Sequence, residues 1–286
     1  MKYACIEENA QRFSKAAMFQ ILGVSSSGYY DWRRREKSQR ARTQEVLDTV
    51  VRQAFMDGKG REGAPRLTCR LSTLGHKHDE KTIAASLKRQ GLRAKAARKF
   101  KATTDSDHKQ PVAQNLLNRD FNPPQPNLAW AGDITVLWTD EGWLYLAVII
   151  DLHSRKVIGW SMSRRMKADL VCNALLMALF RRGFPRGVLV HSDRGSQYCS
   201  RKYQRLLKGN HLICSMSRRG NCWDNAVVES FFHTMKIECI HSEHLPTREY
   251  ARQVIFQYIE ADYNVTRLHS TLGYQSPNDF EAAYAA

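Results

Sequence analysis

The chain is 286 residues long and carries 44 Lys and Arg against 28 Asp and Glu, a formal net charge of +16. Its 43% hydrophobic content is enough for a packed core and excludes a disordered chain, and the length allows two domains, or one core with a small appended module. No apolar run approaches the roughly 20 residues of a membrane span, and Met1 to Glu8 lacks the apolar stretch of a signal peptide, so the expectation is a cytoplasmic chain with no membrane partner.

The charge is uneven, with net +12 in residues 1–127 and +4 in residues 128–286. A basic N-terminal half predicts a polyanionic partner, and DNA fits better than an acidic membrane because no amphipathic anchor accompanies it. Seven scattered cysteines without a Cys-x-x-Cys pair predict reduced, mostly buried thiols and argue against a zinc module. His76 and His78 have only Cys69 nearby.

In chain order, residues 13–35 read as helix, turn, helix: Phe13 to Leu22, a break at Gly23-Val24-Ser25, and a second helix to Arg35 capped by Ser26 or Ser27. Such a unit places its second helix in the major groove, where Arg33, Arg34 and Arg35 meet phosphate; an ordinary hairpin with those arginines in water is the competing reading. A polar helix spans about Ser38 to Met56. After a glycine-rich break, Arg66 to Leu74 and a helix capped by Asp79 form a second pair, with Ile83, Leu87 and Leu92 set against Leu67, Leu71 and Leu74.

Gly91 to Lys101 is strongly basic, and the proline-bearing stretch that follows reads as a linker. The expected organisation is a helical DNA-binding region at 1–102, a linker at 103–126 and a core at 127–286.

The core opens with strands at Leu128 to Thr139, Trp143 to Asp151 and Val157 to Met162, joined by a turn at Asp140-Glu141-Gly142. A helix (Met166 to Arg182), a short buried strand (Val188 to Val190), a helix (Tyr198 to Leu207) and a strand (Ile213 to Met216) follow. Two more helices run from an Asp224 cap to about Cys239, and from Thr247 to about Val265. The order says α/β.

Three acids stand where an acid is hard to explain structurally. Asp133 interrupts a strand, Asp193 follows the apolar run Val188-Leu189-Val190, and Glu229 lies in an otherwise apolar helix. Charges are rarely buried without partners, so such acids ask for a cation or a chemical role. Singly, each has a plain alternative: a backbone cap for Asp133, a turn opener for Asp193 and a surface position for Glu229. Asn225, Glu229, His233 and Lys236 form one polar stripe, either a site wall or a solvated face. Asp151 reads as a strand-end turn residue and Asp224 as an N-cap.

Asp193 follows Asp133 by 60 positions, and 35 residues separate Asp193 from Glu229. With Leu22-Gly23-Val24-Ser25, Ser27-Gly28-Tyr29-Tyr30, the Trp143 to Asp151 strand with Ser154-Arg155-Lys156, and Tyr263-Asn264 with Arg267, His269 and Pro277, this spacing resembles the Asp-Asp-Glu transposases and integrases. The closer resemblance is to the second-frame (OrfB) protein of the insertion-sequence 3 family. It implies a ribonuclease H-like core with a mixed five-stranded sheet flanked by helices, behind an all-α, helix-turn-helix-like N-terminal region.

It also implies a DNA transposase, a polynucleotidyl transferase that cuts and joins DNA at insertion-sequence ends and target using two Mg2+ ions, with Mn2+ as a substitute. Asp133 would bridge both ions, Asp193 would ligate one and Glu229 the other. Lys236, seven positions after Glu229, would touch the transposon end, and Asn225 and His191 would orient the acids from behind. Arg267 and His269 either touch phosphate or belong to a packed cap. Expected partners are DNA, further copies of the chain on DNA, and the first-frame protein or its frameshift fusion, at the bacterial nucleoid. A structure-selective nuclease on the same fold and a non-catalytic DNA-binding regulator of transposition are the alternatives.

Overall fold

The structure, a computed structural model, describes residues 1–36, 38–95, 112–218 and 222–285. Its first helix, α1 (Lys2–Glu8), has little sequence signal because it buries only Ile6. Next, α2 (Lys15–Leu22) starts after Ser14, leaving Phe13 exposed, and ends at Gly23 in the left-handed conformation (φ +58°). The cap of α3 (Ser26–Arg34) is Ser25, whose hydroxyl accepts from the Gly28 N–H, and neither Ser26 nor Ser27 as the sequence suggested. Ile6, Met18 and Tyr29 form the small core of these three helices, and the Tyr29 hydroxyl donates to Glu7.

Ser38 caps α4 (Gln39–Asp57). Pro65 in the first turn starts α5 (Ala64–Thr73) two residues before the expected Arg66, and Asp79 caps α6 (Glu80–Arg89) as expected, accepting from the Thr82 N–H at 2.7 Å. Leu67, Leu71, Ile83 and Leu87 pack together with Val51 and Phe55 of α4. Leu74 does not join them, because it closes α5 and faces solvent.

The basic stretch beyond Lys95 and the first part of the expected linker lie outside the described residues. From Val112 onward that linker lies against the core. Leu117 is buried in it, and the Leu116 and Leu117 N–H groups donate to Ser215 Oγ.

The core sheet is built from β1 (Ala129–Thr139), β2 (Gly142–Asp151) and β3 (Val157–Ser163), an antiparallel meander, with β4 (Leu189–Ser192) and β5 (Ile213–Met216) added in parallel beside β1. The strand order is β3-β2-β1-β4-β5. Period-2 alternation divides β2 between two cores: Leu144, Leu146, Val148 and Ile150 enter one, Ala147 and Ile149 the other.

The face bearing Ala147 and Ile149 is covered by α7 (Ala168–Arg182), α8 (Ser196–Cys199) and α9 (Arg201–Gly209). Ser200 splits the single helix expected over Tyr198 to Leu207, because its hydroxyl caps α9. The other face is covered by α10 (Ala226–Met235) and α11 (Arg248–Gln257). Both widen into π-helix, at Lys236–Ile240 and Tyr258–Tyr263, and the second stops short of Val265. The last helix, α12 (Pro277–Ala285), is held by Glu281, which accepts from Ser154, Lys156 and Arg182.

Ion pairs join the N-terminal helices to the core, Arg61 to Asp262 at 2.5 Å and Arg66 to Glu238 at 3.1 Å. Cys172, Cys199 and Cys239 are buried free thiols, Cys69 and Cys214 are half-buried, and Cys5 is exposed. Among the described residues no helix is long and apolar enough to cross a membrane.

Candidate active site

Parallel pairing brings the first two acids together. Four successive pairs, Ala129 with Leu189 through Gly132 with Ser192, keep an offset of 60 residues, so Asp133 and Asp193 occupy the next matching positions. Neighbouring strands run about 4.8 Å apart, so both carboxylates emerge at one edge of the ladder. Gly132 is required there: a Cβ would sit 2.8 Å from Ile149 Cδ1 and 3.3 Å from the Val148 carbonyl. Asp133 is half-buried and accepts from the Ile134 N–H at 2.7 Å. Asp193 turns the chain out of β4 and accepts from the Gly195 N–H at 2.9 Å.

Glu229 comes from the first turn of α10, on the same side of the sheet as Asp133. The start of that helix is fixed by Asp224. The sequence suggested an N-cap, but Asp224 sits in the 3-10 turn before the helix, fully buried, and its carboxylate gathers donors from three segments. Arg218 donates its N–H, Nε and Nη2 at 2.9–3.0 Å, Asn115 donates Nδ2 at 2.9 Å and Arg119 donates Nε at 3.0 Å. These bonds hold Asp224 well below the ordinary carboxylate range. A lone acid between arginines carries no periodic signal, which is why sequence reasoning missed it.

Electrostatics bind the three acids into one unit. Burial, then the Asp193 carboxylate, push Asp133 well above the usual range, and Glu229 adds to this. Partial desolvation by the surrounding protein, then the Asp193 charge, raise Glu229 as well, although its side chain still reaches water. Among the described residues no three His, Cys, Asp or Glu side chains stand close enough together to hold a metal ion as they are placed here. The three carboxylates lie near enough for their charges to repel, and hard oxygen ligands of this kind suit a divalent cation such as Mg2+.

Residues 123–222 match a family described as "Integrase core domain", and residues 210–277 match a second family of that description. The chain is 56% identical over 283 residues to "Transposase InsF for insertion sequence IS3A" of Escherichia coli (strain K12), covering 98% of both chains. The chain belongs to the insertion-sequence 3 transposase family. It is a transposase with an integrase core, a polynucleotidyl transferase that acts on DNA, and its core has the ribonuclease H-like fold. It is also 43% identical over 267 residues to "Insertion element IS600 uncharacterized 31 kDa protein" of Shigella sonnei, covering 93% of this chain and 98% of that one. A solved "HTLV-2 integrase catalytic core domain in complex with magnesium" aligns at 18% identity and TM-score 0.41, covering 55% of this chain and 98% of that one.

The remaining sequence-derived residues of the transposase fall at differing distances from the acids. Asn225 is buried and donates Nδ2 to the Gly132 carbonyl at 3.3 Å, tying the start of α10 to β1 beside Asp133. His191 is fully buried between β4 and β5, its ring nitrogens on Ser215 Oγ (2.9 Å) and Ser217 Oγ (3.1 Å), and burial lowers it to about 4, so the ring is neutral. It ties β4, the strand that Asp193 directly follows, to the segment beginning at β5. Lys236 is half-buried within electrostatic reach of Asp133, so the expected stripe runs from buried Asn225 through exposed Glu229 and His233 to Lys236 and is no uniform solvated face.

Arg33, Arg34 and Arg35 are exposed at the end of α3, away from the acids in sequence, and Arg33 also pairs with Glu7 at 3.3 Å. Asp151 is a turn residue as expected, accepting from the Asn127 and His153 N–H groups. In the closing motif, Asn264 pairs with both backbone groups of Val157, and Arg267 is bound to Glu238 at 3.0 Å.

Proposed function

We propose that Asp133, Asp193 and Glu229 are the catalytic acids of this transposase and hold two Mg2+ ions, with Mn2+ able to replace them, during cleavage and joining of DNA at the ends of its insertion sequence. The placement of Asp133 on β1, Asp193 just past the end of the adjacent parallel β4 and Glu229 on α10, near enough for their charges to repel, carries the reading. When bound, divalent ions supply an activated attacking oxygen and charge stabilisation at the leaving oxygen. The chain's own contribution is to fix the donors: Asn225 and Asp224 position Glu229, His191 positions Asp193, and the Ile134 N–H orients Asp133.

Lys236, beside Asp133, is suited to steady a DNA phosphate entering the site, and Arg33, Arg34 and Arg35 to meet phosphates elsewhere on the duplex. The expected division at residues 1–102, 103–126 and 127–286 stands in this reading as a DNA-binding region, a linker and the catalytic core. The proposed assembly on DNA holds at least two copies of the chain, and the first-frame protein or its frameshift fusion is the proposed partner in recognising the ends at the bacterial nucleoid.

The test is strand transfer on labelled DNA carrying the element's ends in Mg2+, comparing wild type with Asp133→Asn, Asp193→Asn and Glu229→Gln. Joined product from wild type alone, with DNA binding kept by all three variants, is the expected result. Joining by any variant at wild-type rate would remove that residue from the site.

A further inference from the structure

On the side of α10 away from Glu229 lies a cavity of about 550 Å3 that the three acids do not use. Ser230, one residue and roughly 100° further round the helix than Glu229, lines it together with Arg66 of α5, Arg155 of the β2–β3 turn, and Arg267, His269 and Thr271 of the closing motif. Four parts of the chain distant in sequence thus supply three guanidinium groups, an imidazole and two hydroxyls to one space.

Arg155 is the least expected member. It is nine-tenths buried (9% exposed), one nitrogen donates to Asn122 Oδ1 at 2.7 Å, and Nη1 has no hydrogen-bond partner among the described residues. A guanidinium nitrogen out of water without an acceptor is costly. Its backbone is also left-handed, at φ +62°, a conformation that costs a non-glycine residue roughly 1–2 kcal/mol. An arginine in a turn that glycine would fill with less strain points to a role for its side chain.

The neighbouring charges do not cancel. Arg66 and Arg267 share the carboxylate of Glu238. Asp151, which also attracts Arg155, pairs with Arg182 at 3.4 Å. Burial and the guanidiniums of Arg267, Arg66 and Arg155 lower His269 to about 3, so it stays neutral and adds no counter-charge. A cavity with guanidinium forks and hydroxyl donors suits a tetrahedral oxyanion.

We propose that this cavity binds a backbone phosphate of DNA through the guanidiniums of Arg66, Arg155 and Arg267 that line it, on a side of α10 turned away from Glu229. The inference rests on the reading that the chain acts on DNA. A strand bound there is anchored to the same helix that carries Glu229, and its contact carries no base information.

The test measures binding of wild type, Arg155→Gln and Ser230→Glu to an end duplex and to an unrelated duplex across 50–200 mM salt. Ser230 is exposed, so its variant folds even if Arg155→Gln does not. Both variants are expected to weaken binding to both duplexes alike, roughly three- to tenfold, and Arg155→Gln to flatten the log–log salt slope by about 0.9. Wild-type affinity and slope in both variants, with wild type binding DNA, would overturn the phosphate site alone. A wild-type chain indifferent to DNA would overturn the functional reading and the site with it. Calorimetry with inorganic phosphate separates the two sources of that group: saturable phosphate binding lost in Arg155→Gln, with DNA affinity and slope unchanged, would assign the cavity to a free ion and overturn the DNA proposal.

Discussion

Asp224→Asn perturbs the site without touching any of the three acids. Asp224 is fully buried and accepts five hydrogen bonds, from Asn115, Arg119 and Arg218. Bonds to a charged acceptor contribute about 1.5–3 kcal/mol each, against about 1 kcal/mol for neutral ones, and an amide turns one acceptor oxygen into a donor facing other donors. Arg119 and Arg218 are 45% and 49% exposed, so water recovers part of the loss. The net destabilisation is expected at about 2–4 kcal/mol, or a fall in Tm of roughly 5–15 °C for a chain of this size.

Glu229 lies five residues further along, and a displacement on the order of 1 Å at a reacting centre lowers rate about 100-fold. Melting curves, and strand transfer assayed at least about 20 °C below the variant's Tm, separate unfolding from mispositioning. A variant with Tm within about 2 °C of wild type and joining within about twofold would refute the claim that Asp224 sets α10 in place.

Other perturbations probe different parts of the argument. Gly159→Ala should be severe: its Cβ would lie 2.2 Å from the Ala174 carbonyl oxygen and 2.7 Å from the Ala178 nitrogen, both backbone atoms of α7. A loss of about 3 kcal/mol or more in unfolding free energy is expected from urea denaturation. Glu238→Gln removes a buried charge that accepts from Arg66, Arg267 and Tyr258, costing about 3–5 kcal/mol; faster amide exchange in α5 than in β2 is the signature to look for.

His269 is held neutral with its value lowered to about 3 by burial and then by the charges of Arg267, Arg66 and Arg155. The unfolded chain therefore binds the extra proton between pH 6.5 and about 3, so His269 contributes stability above that window that is lost as pH falls through it. In His269→Gln the acid side of the stability–pH curve should be shallower by up to about 1.4 kcal/mol per pH unit. Parallel curves would remove His269 as an acid-labile group.

The sequence by itself determined the order of the strands and the main core helices, the five strands within one or two residues, and which three acids stand out from their surroundings, because each depends on local information. Strand pattern is set by period-2 hydrophobicity, Asp79 by its place before a helix, and Asp133, Asp193 and Glu229 by standing in apolar surroundings where a charge has no local partner. The 60-residue spacing already matched the β1–β4 offset, although only the parallel pairing gave it meaning.

What the tertiary structure decided depends on groups distant in sequence. Ser25 displaced Ser26 and Ser27 as a cap because backbone direction at the turn selects among adjacent hydroxyls. Asp224 passed from helix cap to buried anchor because its partners lie up to 109 positions away. Arg66, Arg155 and Arg267 belong to three unconnected stretches of the sequence, and only folding placed them around one cavity. Local pattern fixes which face of an element is apolar, whereas the pairing of buried charges is fixed only when the sheet has closed and water has left.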